Sequence, residues 1–88
     1  MCVKLFGGSF MARIFVVDDD SDMRNLVKNV LAKDGHEVVL ASDAGELLSM
    51  DCTSADLILL DVMMPGMDGF ELCENIRDEV DCPILFLT

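Results

Sequence analysis

Basic residues are scarce in this sequence: six lysines and arginines stand against 17 acidic residues, a net charge of −11. Nucleic-acid backbones are held by a basic face, so this balance argues against a DNA-binding role for the segment. Histidine occurs once, at His36. The four cysteines (Cys2, Cys52, Cys73 and Cys82) form no C-x-x-C pair and no regular framework. A zinc site is therefore not expected, and reduced thiols are. No apolar run reaches the length of a membrane span. The N-terminal residues also lack the charged start, long apolar core and small-residue cleavage site of a signal peptide. Together these absences make the cytoplasm the expected compartment. At 88 residues there is room for one small domain.

What the chain has in surplus is apolar and acidic residues. Hydrophobic residues make up 52% of it, above the usual share for a soluble domain. So short a chain is hard pressed to cover that much apolar surface. Leu57-Ile58-Leu59-Leu60 runs straight into Asp61, and Pro65, Gly66 and Gly69 then break the chain before a new amphipathic segment. A short apolar run bounded by turn signals reads as a strand buried on both faces. Asp61 then sits at the carboxyl end of a strand, where open parallel sheets keep their ligand crevices. Taken alone, an aspartate in that place does no more than end a strand or open a turn. A second stretch changes the balance: Ile14-Phe15-Val16-Val17 ends in Asp18-Asp19-Asp20. Like charges gathered at one strand end repel each other, and a bound cation is the simplest relief. Mg²⁺ suits such a place, since it takes hard oxygen ligands and usually one or two protein carboxylates. If the two strands are neighbours, Asp18, Asp19 and Asp61 converge on one pocket. That is the arrangement of a metal-assisted phosphoryl-transfer site.

Arg13–Val17 reads as the first strand of the domain. Asp20 or Ser21 can cap the next helix, whose Leu26, Val27, Val30 and Leu31 form one apolar stripe. Gly35 suits the left-handed position after that helix. Glu37–Ala41 is a second strand, Ser42-Asp43 caps a short helix carrying Leu47 and Leu48, and Leu57–Leu60 is the third strand. Phe70, Cys73, Ile76 and Val80 are expected to line the buried face of a helix ending before Cys82-Pro83, and Ile84–Leu87 is the fourth strand. Asp68 is placed to cap that last helix. Residues 1–11 do not fit this alternation. Gly7-Gly8-Ser9 reads as a flexible linker, Cys2–Phe6 as a short strand at most, and the whole segment as a leader or upstream extension. The alternative is an extra edge strand that pairs with another chain. The remaining order, βαβαβαβ, implies a parallel sheet with helices on both faces.

Val-Val-Asp-Asp-Asp at 16–20, Leu-Leu-Asp-Val-Met-Met-Pro-Gly-Met-Asp-Gly at 59–69 and Pro-Ile-Leu-Phe-Leu-Thr at 83–88 resemble, in order and spacing, the receiver domain of two-component response regulators. The likeness runs from about Ala12 to Thr88 and leans toward receivers of transcription factors. It implies an α/β, flavodoxin-like three-layer sandwich with strand order 2-1-3-4. The family's fifth strand, its lysine and the last helices have no counterpart here, which makes residues 12–88 a partial receiver. An uncovered fourth-strand edge and a bare sheet face are then expected to drive homo-oligomer formation.

The resemblance also assigns roles. Asp61 is the phosphoacceptor, taking a phosphoryl group from a sensor histidine kinase. Asp19 and Asp61 bind Mg²⁺ directly and Asp18 mainly through water, and the Met63 backbone carbonyl supplies a further oxygen. The Thr88 hydroxyl contacts the transferred group. Asp20 matches a variable acidic position or simply caps the helix. An output domain or partner protein reads the modified state, and the module is no turnover enzyme. Two rival readings stand beside this one. The first is a self-associating fragment with no phosphotransfer. The second is a haloacid-dehalogenase-type phosphatase using Asp18 and Asp20, although the Gly-Thr continuation of that family is missing after Asp20.

Overall fold

The computed structural model describes residues 4–6 and 9–87, with side chains from residue 12 onward. Two short strands, β1 (Lys4–Phe6) and β2 (Ser9–Met11), pair antiparallel with Leu5 opposite Phe10, in a sheet of their own. Ser9, read from the sequence as linker, thus lies in a strand, because the apolar residues after it have a pairing partner nearby in the chain.

The main sheet contains β3 (Arg13–Val17), β4 (Glu37–Ala41), β5 (Leu57–Asp61) and β6 (Ile84–Leu87). It is parallel throughout, in the order β4-β3-β5-β6. Counted from Arg13, this is the expected 2-1-3-4. Strand side chains alternate between faces. Accordingly Ile14 and Val16 enter one apolar cluster and Phe15 and Val17 the other. All four are at most 3% exposed, which is why the strand reads as an unbroken apolar run.

Three helices cross between the strands: α1 (Ser21–Lys33), α2 (Ala44–Leu48) and α3 (Gly69–Ile76). Each starts on an aspartate whose carboxylate accepts from free N–H groups of the first turn, Asp20, Asp43 and Asp68 in chain order. Gly35 follows α1 at a φ of 86°, the left-handed conformation its position requires. The larger cluster gathers Phe15, Val17, Leu47, Ile58, Leu60, Leu72 and Ile76 beneath α2 and α3. On the other face Ala12, Ile14, Val16 and Leu57 are joined by the half-buried Val27 and Leu31 of α1.

Three expectations about the helices need correction. The buried face of α3 is made by Leu72 and Ile76 with Cys73 packed alongside, whereas Phe70 is 54% exposed. Its ring instead lies 4.7 Å, centroid to centroid, from that of Phe86 on β6. The helix also ends at Ile76, so that Val80 is buried from the turn beyond it. In α1, half of the apolar stripe, Leu26 and Val30, faces outward.

Candidate functional site

The parallel pairing of β3 with β5 sets Val17 beside Leu60, so the residues that follow emerge side by side at the carboxyl end of the sheet. Carboxylate oxygens of Asp18, Asp19 and Asp61 lie within 4.8 Å of one another there. Asp18 is buried at 5% exposure, Asp61 is half-buried and Asp19 is exposed. Above them opens a cleft of about 410 Å³, lined also by Met23 and Val27 of α1, Met63 of the loop after β5, and Leu87 of β6.

Local hydrogen bonds fix the carboxylates from both sides. The Asp20 N–H donates to Asp18 Oδ1 at 3.0 Å, and the Asp18 N–H donates to the Ala41 carbonyl across to β4. The Met63 N–H donates to Asp61 Oδ1 at 3.1 Å, turning the chain sharply after β5. The loop then returns: the Gly69 N–H donates to the Val62 carbonyl. A Cβ at residue 69 would collide with the Asp61 carbonyl, so only glycine allows α3 to start this close to β5. Burial pushes the Asp61 carboxyl pKa above its ordinary value, and the neighbouring Asp18 charge adds to the rise, while the Met63 N–H opposes it. A carboxylate that is hard to ionise, held beside two more, is a group that gains from a positive charge.

The donor set fits Mg²⁺. It offers hard oxygens, few of them and closely spaced, with an open side toward the cleft for water. Among the described cysteines, Cys52 belongs to the apolar cluster under α2 and α3, and Cys73 and Cys82 pack against it. The thiols of Cys52 and Cys82 are shifted upward by burial, as expected of structural cysteines.

Residues 14–88 match the family model of the response regulator receiver domain. This chain belongs to that family. The receiver is 51% identical over 78 residues to the transcriptional regulatory protein SpaR of Bacillus subtilis, a match covering 89% of this chain and 36% of that one. It spans about a third of the length of the curated relatives it matches. Among solved structures, the N-terminal domain of a response regulator receiver protein from Methanoculleus marisnigri is 36% identical. That match has a TM-score of 0.80 and covers 88% of this chain and 66% of that one. TrrA from Thermotoga maritima, solved in complex with Mg²⁺-BeF, is 27% identical at a TM-score of 0.73, covering 89% and 88% of the two chains.

The structure brings together Asp18, Asp19 and Asp61, with Met63 at the cleft rim. Met63 is 81% exposed, and its contact with the trio is the backbone N–H that donates to Asp61. Thr88 lies outside the described residues. Asp20 lines the cleft, but its carboxylate accepts from the N–H groups of Asp22 and Met23. Asp20 is thus occupied as a helix cap, and the family match removes the dehalogenase-type reading. Sequence reading missed Arg24, whose guanidinium donates to the Asp18 carbonyl at 2.7 Å. The signal was a lone cation one helical turn after an acidic run.

Proposed function

We propose that Asp61 of this receiver accepts a phosphoryl group from the phosphohistidine of a sensor histidine kinase. The observation that carries the reading is the meeting of three carboxylates from two strand ends within 4.8 Å, beside an open cleft. A carboxylate oxygen of Asp61 attacks phosphorus as the P–N bond to the imidazole breaks. The electron pair leaves with the ring nitrogen, and an acyl phosphate remains. Positioning supplies most of the catalysis in such a transfer, and the Met63 N–H holds Asp61 in place for it. Asp18, Asp19, Asp61 and the Met63 carbonyl would hold Mg²⁺ here, and the ion would supply charge neutralisation for the phosphoryl oxygens. The TrrA complex with Mg²⁺-BeF supports carrying this ion across to the present chain. Thr88 contributes its hydroxyl to the transferred group.

Receiver domains are signalling modules rather than turnover enzymes, and several relatives are transcriptional regulators. In this reading residues 12–88 form the receiver unit and residues 1–11 a leader outside it. The module works in the cytoplasm and is read by an output domain or partner protein. A two-state equilibrium of the receiver carries the signal. No described helix is long and apolar enough to cross a membrane.

The deciding experiment is intact-mass measurement after incubation with acetyl phosphate, with and without Mg²⁺. A single phosphoryl increment that requires Mg²⁺ and disappears in Asp61→Asn is expected. No increment in the wild-type chain, or one that survives in Asp61→Asn, overturns the assignment.

Self-association is a second reading, favoured by β6. Among the described residues it pairs only with β5, and Leu85 and Phe86 stand exposed on it. Light scattering of the same samples tests it, and a monomer at high concentration excludes it.

A further inference from the structure

We infer that Arg24 is a positioning residue of the acidic pocket, holding the β3–α1 turn so that Asp18 and Asp19 are presented to a divalent cation together. The inference rests on the reading of that pocket as a cation site. Residues 18–20 link the buried end of β3 to the first turn of α1, and the Arg24 side chain grips this link. The backbone N–H of Arg24 donates to the Asp20 carbonyl at 3.0 Å, the ordinary bond that closes the first helical turn. Its guanidinium reaches back past Asp19 to the Asp18 carbonyl at 2.7 Å. Between these two anchors lies Asp19, the exposed member of the trio. The internal bond from the Asp20 N–H to Asp18 Oδ1 ties the same turn from within. Arg24 is half-buried, whereas the apolar Met23 and Leu26 on the same helix are 42% and 57% exposed. A charged side chain that packs inward while its apolar neighbours face solvent is held by a specific bond.

Two roles for this cation predict opposite signs. If Arg24 acted only through its charge, it would repel a second cation, and its removal would tighten divalent-ion binding. If it acts through the clamp, its removal frees the turn and weakens binding, as loss of an outer-shell partner of a metal ligand does, by about 10- to 100-fold.

The test is Mn²⁺ titration of the full chain, read by the electron paramagnetic resonance of the free ion, with folding of each variant verified by circular dichroism. Arg24→Ala is expected to weaken Mn²⁺ binding by about tenfold or more. Arg24→Lys, which retains a long side chain with a terminal donor, is expected to restore most of the loss. Lys28→Ala, which removes the same charge one turn further along the exposed side of α1, is expected to leave the affinity unchanged or slightly higher. Unchanged or tighter binding by Arg24→Ala overturns the inference while leaving the cation site intact. If Arg24→Ala does not fold, Arg24→Met, a long side chain without a donor, against Arg24→Lys decides: affinity kept by Lys and lost by Met supports the clamp, and equal affinities overturn it. Failure of the wild-type chain itself to bind Mn²⁺ overturns the reading of the pocket, and the role of Arg24 with it.

Discussion

The two faces of the sheet are closed to very different degrees. Under α2 and α3, a cluster of 12 buried residues runs from Phe15 to Val80. On the α1 side the buried cluster among the described residues is Ala12, Ile14, Val16 and Leu57. Helix length does not explain this. The 13 residues of α1 include no buried side chain, while the eight of α3 bury Gly69, Leu72 and Ile76. Both helices are amphipathic, and both begin on a capping aspartate. What differs is what stands opposite each stripe. Leu72 and Ile76 face strand residues and α2 together. Val27 and Leu31 pack against the buried cluster of the sheet, but Leu26 and Val30, on the flank of α1, remain more than half exposed. An apolar stripe therefore marks one side of a helix, and α1 buries only part of that side among the described residues. The acidic cleft lies at the seam of the two faces, lined by Met23 and Val27 from the open side and by Met63 from the loop leading into the closed one.

Truncation on the closed face should break the contrast most strongly. Leu72→Ala is expected to cost about 2–5 kcal/mol in urea denaturation, because the surrounding core collapses only partly into the space left behind. Filling the seam comes next. Mg²⁺ at a hundred times its dissociation constant is expected to stabilise the chain by about 2.7 kcal/mol, and Asp18→Asn should erase most of that gain in a thermal melt. The same seam carries a pH signature. The Asp61 carboxyl has a raised pKa in the folded chain, so the folded state holds its proton more tightly than the unfolded state does. Without metal, this contribution to stability is present below the ordinary aspartate value and lost as pH rises through the raised one. Asp61→Asn should flatten the stability profile across that window, and an unchanged slope would show that other groups set it. Gly69→Ala, which presses a methyl group against the Asp61 carbonyl, is expected to cost about 1–3 kcal/mol by moving α3. The smallest effect belongs to the open face. Leu26→Ser and Val30→Ser should change unfolding free energy by no more than about 0.5 kcal/mol each, while lowering any self-association seen by light scattering.

Most of the strand architecture was legible in the sequence, because strands buried on both faces are written as unbroken apolar runs and their ends as acidic or turn residues. Asp18, Asp19 and Asp61 could be named for the same reason, since three carboxylates at two strand ends have no packing role. Cap residues were equally legible at Asp20, Asp43 and Asp68, where a short side-chain acceptor precedes an amphipathic segment. Periodicity misled where a residue had a competing partner. Phe70 keeps the helical spacing of a core residue, yet its ring pairs with Phe86 across from α3, a contact between segments that spacing along one helix cannot reveal. Arg24 was hidden for a related reason: its bond is to a backbone carbonyl, which carries no residue identity. The pairing of β1 with β2 was obscured by their brevity, three residues each.

The Gly69–Asp61 approach also bears on how such a site can change over generations. The atom that a side chain at residue 69 would strike belongs to the main chain. No replacement of a neighbouring side chain can make room for it, so position 69 should behave independently of its surroundings. A library randomised at residues 64, 67, 69 and 72 and sorted for folded protein should return a varied set of apolar combinations at the other three positions. At 69 it should favour glycine to the same degree whatever the others have become.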